Sequence, residues 1–339
     1  MIAGWELAIA ALVASATLTA VLIVLLRPSL VRYAMARPNA RSSHRIPTPQ
    51  GGGIAVIAAV SVVLVTVWLL IPALFTSAGH LAAIVATAVG LAVVGAVDDI
   101  RPLDPGPRLA LQAVAVVAVL AALPADLRVV PSLPWWAERA LMALGLIWFV
   151  NLANFMDGLD WITVAEIVPI TATLAFFGVT GSLPVETTLA AVALCGAMLG
   201  FAPFNKPVAR LFLGDVGSLP IGLLTGWMLI VLAEHHLVAA LLLPLYYLAD
   251  ATITLAHRFT RGEQITQAHR SHFYQQAADA GMSALHVSAR VFITNVVLAV
   301  LAASSFNASP ALQLVLLAFG CGAVALLLAN FGRRKRVSV

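Results

Sequence analysis

Charged residues are scarce in this 339-residue chain: only 10% of its positions are Asp, Glu, Lys or Arg, whereas 61% are hydrophobic. Soluble domains carry about 25% charged residues, so this composition excludes an ordinary soluble enzyme. A long polar segment is also lacking, because the longest one, at about residues 258–281, is too short to form a core of its own. We therefore expect one all-α polytopic integral membrane domain that covers residues 1–339.

Cysteine is nearly absent as well, since the chain contains only Cys195 and Cys321. Both lie inside apolar runs, which favours packing over a disulfide or a metal site. The first apolar run, residues 5–26, is longer than the hydrophobic part of a signal peptide and has no basic segment before it. We interpret this run as a retained membrane span.

Apolar runs that are long enough to cross about 30 Å of hydrocarbon recur along the whole chain. We predict about eleven transmembrane helices, at residues 5–26, 51–71, 80–97, 108–123, 138–156, 161–179, 187–204, 217–233, 237–257, 286–305 and 310–331. The fourth of these runs is short and can be tilted or re-entrant, which leaves ten spans as an alternative.

Lys and Arg are distributed unevenly between the two sides of these spans. Of the 19 such residues, only Arg128 and Arg139 fall on one side. Because positively charged loops stay in the cytoplasm, the N-terminus is predicted outside and the C-terminus inside. The predicted cytoplasmic loops are at about residues 27–50, 98–107, 157–160, 205–216 and 258–285. This topology and anionic lipid headgroups explain the net charge of +4 without nucleic acid binding.

The most informative polar stretch is Asn151-Leu-Ala-Asn154-Phe-Met-Asp157-Gly-Leu-Asp160, where one predicted helix ends and the next begins. On a helix, Asn151 and Asn154 share a face, and Asp157 extends that face by one turn. Four oxygen-bearing side chains on one surface suit a hard cation or a nucleotide. A polar turn with helix caps is the alternative interpretation.

Two other predicted cytoplasmic segments contain acidic residues in unusual settings. Asp98 and Asp99 end the third predicted span, and adjacent carboxylates repel each other unless a cation, a basic partner or a proton neutralises them. A solvated helix terminus is the alternative. Asp215 lies between Gly214 and Gly217, where the backbone can approach a bound group closely.

The first loop ends in Ser42-Ser-His44-Arg45-Ile-Pro-Thr48-Pro-Gln-Gly51-Gly-Gly53. Its prolines and glycines are expected to form a rigid turn with exposed backbone amides, beside which His44 and Arg45 can face an anion. An ordinary positively charged loop explains the stretch equally well.

The last large loop contains His269-Arg270-Ser-His272, without a cysteine nearby. This composition favours phosphate contact or acid–base chemistry over a zinc site. Within the ninth predicted span, Asp250 needs a partner such as Arg258 or a water-lined cavity.

Taken in order from His44 to Gln275, these motifs resemble the polyprenyl-phosphate N-acetylhexosamine-1-phosphate transferases. This glycosyltransferase family 4 type also contains the phospho-N-acetylmuramoyl-pentapeptide transferases of peptidoglycan synthesis. The resemblance implies a bacterial inner-membrane enzyme of ten or eleven helices whose active site faces the cytoplasm. It implies Mg²⁺-dependent transfer, with Mn²⁺ as a substitute, of a sugar 1-phosphate from a UDP-N-acetylhexosamine to a polyprenyl phosphate such as undecaprenyl phosphate, releasing UMP. Membrane lipids are further expected partners, and a homodimer is left open.

The resemblance also assigns a role to each motif. Asp215 matches the metal-binding aspartate, with Asn154 as the second contributor. Asp98 and Asp99 match the catalytic pair, one of them a base acting on the lipid phosphate, and His272 matches a histidine near the diphosphate. The remaining matched positions are expected to bind substrate: His44, Arg45, Thr48, Asn151, Asp157, Asp160, Phe212 (stacked on the uracil ring), His269 and Arg270.

The last loop departs from the peptidoglycan-pathway members, since Gln275 occupies a position where they carry a histidine. This version resembles the branch that starts O-antigen and related surface glycans, and the peptidoglycan transferase is the alternative. A secondary transporter or lipid flippase is an alternative from another class. It would need ionisable residues near the midplane and an inverted repeat. Asp250 and Glu166 meet the first condition, but the sequence contains no evident repeat.

Overall fold

The computed structural model describes residues 2–36, 47–75, 77–264 and 269–333, and this part of the chain is predominantly helical. Its α-helices are α1 Ile2–Tyr33, α2 Gly52–Leu70, α3 Ala78–Ile100, α4 Pro105–Ala122, α5 Trp135–Phe155, α6 Ile162–Val179, α7 Val185–Phe201, α8 Asp215–Leu242, α9 Leu245–Thr260, α10 Phe273–Asp279, α11 Ala284–Ser305 and α12 Pro310–Gly332. Two strands of two residues each, β1 Met35–Ala36 and β2 Thr48–Pro49, form an antiparallel pair. A short 3₁₀ helix, Pro72–Leu74, follows α2. The predicted all-α class is confirmed.

Within the described residues, nine helices are long and apolar enough to cross a membrane: α1 to α6, α8, α11 and α12. Of the shorter helices described, α7 with 17 residues is apolar, and α9 has 16 residues. The chain is therefore a polytopic membrane protein. The number of eleven spans and the orientation of the termini stay predictions.

The eighth and ninth predicted spans meet at a bend inside α8. The backbone at His236 is non-helical (φ −136°, ψ 58°), and α9 begins directly after Pro244. A straight helix of this length would place its end about 40 Å from Asp215. Instead, Asp250 of α9 contacts α10, which in turn is hydrogen-bonded to the end of α5 beside Asp215. The chain thus turns back at the bend, and α9 returns to the end of the bundle where α8 begins.

Small residues bring α1 and α7 into close contact. A Cβ atom added to Gly196 would lie 2.3 Å from the carbonyl oxygen of Leu12, and one added to Gly200 would lie 2.3 Å from that of Ala16. Two glycines four residues apart suit a lipid-embedded interface, because helices in lipid associate mainly by close packing. Among the nine candidate spans, α8 is the most buried, and it packs against α2, α3, α5 and α11.

The charge asymmetry predicts that the exposed residues Arg101, Lys206 and Arg261 face the cytoplasm and that Asp126 faces the opposite side. In a chain whose native cysteines are replaced, single cysteines at the first three positions should resist an impermeant maleimide in intact cells and react after lysis. Asp126→Cys should react in both conditions. Labelling of any of the first three in intact cells would show that the predicted orientation is wrong.

Candidate active site

The start of α8 is where the ends of α3 and α5 meet. The Asn154 side-chain amide donates to Oδ1 of Asp215 (2.7 Å) and to the Ser218 hydroxyl (2.9 Å). Asp99, from the end of α3, accepts from the backbone amides of Asp215 (3.0 Å) and Val216 (3.1 Å). The first amides of a helix lack partners within it, so a carboxylate from a different helix caps α8 here.

Asp98 is buried and interacts with three groups. Its Oδ1 accepts from the Leu103 amide (2.6 Å), and its Oδ2 accepts from Nη1 of Arg108 (3.0 Å). Its carboxyl group also lies close enough to that of Asp215 to interact with it. Two neighbouring carboxylates repel each other, and a proton or a cation can relieve that repulsion.

The chemistry of these donors fits a hard divalent cation. Carboxylate and amide oxygens are the ligands that Mg²⁺ accepts in proteins, and Mg²⁺ is commonly held by one or two carboxylates together with water and substrate phosphate. The described residues contain no group of three or more His, Cys, Asp or Glu side chains arranged to hold a metal ion. A cation here would therefore rest on Asp98, Asp215 and the Asn154 side chain, with its other ligands coming from water and substrate.

Asp157 lies in the turn between α5 and α6. It accepts a hydrogen bond from the Thr163 hydroxyl, which itself lies 3.4 Å from the Tyr247 hydroxyl. Burial raises the pKa of Asp157 to about 7, and the nearby charge of Asp99 acts in the same direction. Near neutral pH both its charged and neutral forms are populated, and a neighbouring cation would favour the charged form.

The expected common face of Asn151, Asn154 and Asp157 is not formed. Because α5 ends at Phe155, Asp157 lies beyond the helix. The Asn151 amide donates to Oε1 of Gln112 (2.7 Å) on α4, whereas Asn154 contacts α8. The two asparagines therefore engage different helices.

Asp160 ties the α5–α6 turn to two other parts of the chain. One of its carboxylate oxygens accepts from the Ala209 amide (3.0 Å), and its backbone carbonyl accepts from the Ser288 hydroxyl (2.7 Å). These contacts fix the turn that contains Asp157.

The glycine-rich start of α2 packs against the loop before α8. The amide of Gly52 donates to the Phe212 carbonyl (2.9 Å), and that of Gly53 donates to the Leu213 carbonyl (2.9 Å). A Cβ atom on Gly53 would lie 2.1 Å from Cα of Gly217. The expectation of exposed amides is therefore wrong for these two glycines, which serve a close backbone approach.

The other residues of this region that were predicted to bind substrate differ in their burial, and two of them are not described. Thr48 is buried in β2, and Phe212 is half-buried, with its amide donating to the Pro49 carbonyl (2.9 Å). His44 and Arg45 lie outside the described residues.

The histidine loop lies against α9. His272 is only 2% exposed, and its Nδ1 lies 3.4 Å from Oδ1 of Asp250. Its ring centroid is 4.8 Å from that of His269. Burial, together with electrostatic interaction with His272 and Arg258, lowers the pKa of His269 to about 4, so this imidazole is neutral at physiological pH.

The two arginines of this segment form ion pairs within it. Nη2 of Arg270 lies 2.7 Å from Oδ1 of Asp279, and Nε of Arg258 lies 2.9 Å from Oε2 of Glu263. Asp250, for which Arg258 or a water-lined cavity was expected, accepts instead from the backbone amides of Phe273 (2.9 Å) and Tyr274 (3.2 Å).

Sequence reasoning missed three residues of this region. Arg108, treated as a topology charge, pairs with Asp98, and the completely buried Gln112 pairs with Asn151. Tyr274 donates from its hydroxyl to the Phe155 carbonyl (3.2 Å) and so joins the histidine loop to the α5–α6 turn. The spacing of Arg108 and Gln112, one helical turn apart after the acidic pair, was the available signal.

Known proteins match this chain in the region that contains these helices. A family model described as "Glycosyl transferase family 4" matches residues 81–233, from α3 into α8. A "Probable undecaprenyl-phosphate N-acetylglucosaminyl 1-phosphate transferase" of Bacillus subtilis is 26% identical over 261 residues, which cover 74% of this chain and 71% of that protein. A "Phospho-N-acetylmuramoyl-pentapeptide-transferase" of Geobacillus thermodenitrificans is 29% identical over 248 residues, which cover 64% of this chain and 72% of that protein.

Gly95→Ala should separate α3 from α8, because a Cβ atom there would lie 2.2 Å from the Asp215 carbonyl oxygen. We expect a loss of about 1–3 kcal/mol in the free energy of unfolding, as for other overpacked sites. Gly90 on the same helix is the matched control, since nothing lies within 4 Å of its Cβ position. Thermal unfolding in detergent measures both variants, and equal midpoints for the two would contradict the close approach.

Proposed function

We propose that the chain belongs to glycosyl transferase family 4 and that it transfers an N-acetylhexosamine 1-phosphate from a UDP-sugar to a polyprenyl phosphate. A phosphate oxygen of the lipid attacks the phosphorus bound to the sugar. The bond from that phosphorus to the bridging oxygen breaks, and UMP leaves with that oxygen. The product is a lipid-diphospho-sugar, and the reaction needs no oxidant or reductant.

The observation that supports this proposal best is the contact of Asp98, Asn154 and Asp215 at one end of the bundle. Phosphoryl transfer depends on neutralising phosphate charge and on aligning the attacking and leaving oxygens. A site at the ends of α3, α5 and α8 can receive a water-soluble donor from one side and a lipid acceptor from the bilayer. We assign Asp98, Asn154 and Asp215 to Mg²⁺, which when bound would neutralise diphosphate oxygens.

The contacts of the acidic pair favour separate roles for its two members. Both oxygens of Asp99 accept from amides of α8, so we assign Asp99 to holding that helix. Asp98 lies beside Asp215 and Arg108, so it is the member of the pair that we assign to the cation. Asp157 is proposed to line the donor site on the other side of Asn154.

The names of the relatives suggest two kinds of sugar donor. One relative is named for N-acetylglucosaminyl 1-phosphate transfer, and another is named for phospho-N-acetylmuramoyl-pentapeptide transfer. We favour a UDP-N-acetylhexosamine and a role in O-antigen or related surface-glycan synthesis. Gln275 supports this choice: its Oε1 accepts from the His272 amide (3.3 Å) in a capping box, so it takes a helix-capping place where peptidoglycan-pathway members carry a histidine. The peptidoglycan reaction is the second candidate.

Asp215→Asn should lower turnover by roughly 100-fold, because it removes a charge that would neutralise the phosphates. Wild-type activity should vanish in EDTA and return with Mg²⁺ or Mn²⁺. The matched control is Asp126→Asn, at an exposed loop position far from the site, which should keep wild-type turnover. If wild-type activity survives EDTA, the proposed metal assignment is wrong.

The purified chain in detergent, supplied with polyprenyl phosphate, should release UMP from UDP-GlcNAc, UDP-GalNAc or a UDP-6-deoxy-N-acetylhexosamine. It should not release UMP from UDP-N-acetylmuramoyl-pentapeptide. Chromatography of the nucleotide products measures each rate. Release from the pentapeptide donor alone would establish the second candidate, and release from none of them would contradict both.

A further inference from the structure

A completely buried carboxylate in α9 is bonded to a helix outside its own span. The two carboxylate oxygens of Asp250 accept from the backbone amides of Phe273 (2.9 Å) and Tyr274 (3.2 Å), the first residues of α10. A buried carboxylate is costly unless it finds partners. Here those partners belong to a short helix beside the proposed reaction centre.

Two side chains of α9 orient this carboxylate. The Tyr246 hydroxyl, one turn before it, lies 3.2 Å from Oδ2, and the Thr254 hydroxyl, one turn after it, lies 3.3 Å from Oδ1. Nδ1 of His272 lies 3.4 Å from Oδ1 on the α10 side. Asp250 therefore has donors from both helices and cannot change rotamer without losing several hydrogen bonds.

The tyrosine at the start of α10 reaches the proposed site. Tyr274 is completely buried, and its hydroxyl donates to the carbonyl of Phe155, the last residue of α5. Its hydroxyl fits there because Gly158 has no side chain: a Cβ atom at that position would lie 2.3 Å from the hydroxyl oxygen. Phe155 directly follows Asn154, and Gly158 directly follows Asp157. The contact of Tyr274 thus lies inside the segment that contains both proposed site residues.

We propose that Asp250 is a positioning residue for the transfer reaction, acting by docking α10 so that Tyr274 fixes the α5–α6 turn. The carboxylate sets the position of α10, Tyr274 transmits that position to Phe155 and Gly158, and the turn then presents Asn154 and Asp157 in the geometry that the transition state needs. Asp250 itself touches no substrate in this scheme. This inference rests on the proposed function.

Two variants interrupt this connection at different points. Asp250→Asn removes the charge and turns an NH₂ group toward one of the two α10 amides, so that docking is lost. Tyr274→Phe keeps the docked helix and removes only the hydroxyl bond to Phe155. Thr254→Val is the matched control, because it removes a hydrogen bond to Asp250 while leaving both α10 amides paired.

Amide hydrogen exchange followed by mass spectrometry tests the docking without any substrate. In Asp250→Asn, the peptide that contains residues 273–279 should exchange roughly tenfold faster, whereas in Thr254→Val it should exchange at nearly the wild-type rate. An unchanged rate in a folded Asp250→Asn protein would overturn the docking role. If that variant fails to fold, the kinetics of Tyr274→Phe still test the connection to the turn.

Kinetics with the active donor test the positioning role. Asp250→Asn and Tyr274→Phe should each lower kcat by roughly tenfold, as for other residues that orient a site, with donor KM within about threefold of wild type. The double variant should be no slower than the slower single variant, because both changes break one connection. Wild-type kcat in either variant, or additive losses, would overturn the proposal. If the wild-type chain transfers no sugar phosphate at all, the proposed function fails, while the exchange rates still test the docking.

Discussion

The hydrogen bonds from the start of α8 to Asp99 join the two helices on which the rest of the site depends. Asp99 replaces the missing backbone partners of the Asp215 and Val216 amides, so the orientation of α8 follows from the position of α3. The positive end of the α8 dipole also stabilises negative charge at this point. The proposed cation ligands come from both helices, and they meet only because this cap fixes the distance between them.

The close approach of these helices requires backbone without side chains at several positions. Gly95 of α3 faces the Asp215 carbonyl, and Gly53 of α2 faces Gly217 of α8, with Cβ positions that would overlap the neighbouring backbone. Gly214, directly before α8, adopts φ 77°, a left-handed conformation that glycine tolerates best, and its own Cβ position would lie 2.6 Å from Asp99. The glycines around the site therefore leave room for the neighbouring backbone. The same close packing brings the Gly52 and Gly53 amides within hydrogen-bonding distance of the Phe212 and Leu213 carbonyls.

Much of this architecture follows from the sequence because lipid imposes simple constraints. Every backbone polar group must pair within the membrane, so long apolar runs become helices, and the motif-bearing loops fall at helix ends. What hydropathy does not specify is how far each helix is rotated about its axis. Asn151 and Asn154 therefore contact different neighbours, and Asp250 pairs with α10, contrary to expectation. The bend at His236, by contrast, falls between the eighth and ninth predicted spans, where Glu234, His235 and His236 interrupt the hydrophobic pattern.

The balance of charge at the site gives a reason for a cation that is independent of any relative. Asp98, Asp99, Asp157 and Asp215 lie close enough to interact electrostatically. The only ion pair that these four carboxylates form within the described residues is that of Asp98 with Arg108. Repulsion of this kind can be relieved by protons, as the raised pKa of Asp157 illustrates. A diphosphate substrate would add further negative charge to the same place, and protons bound by carboxyl groups do not offset it as well as a divalent cation shared between carboxylate and phosphate oxygens. An arrangement in which carboxylates repel one another is thus suited to bind a cation and a phosphorylated substrate together.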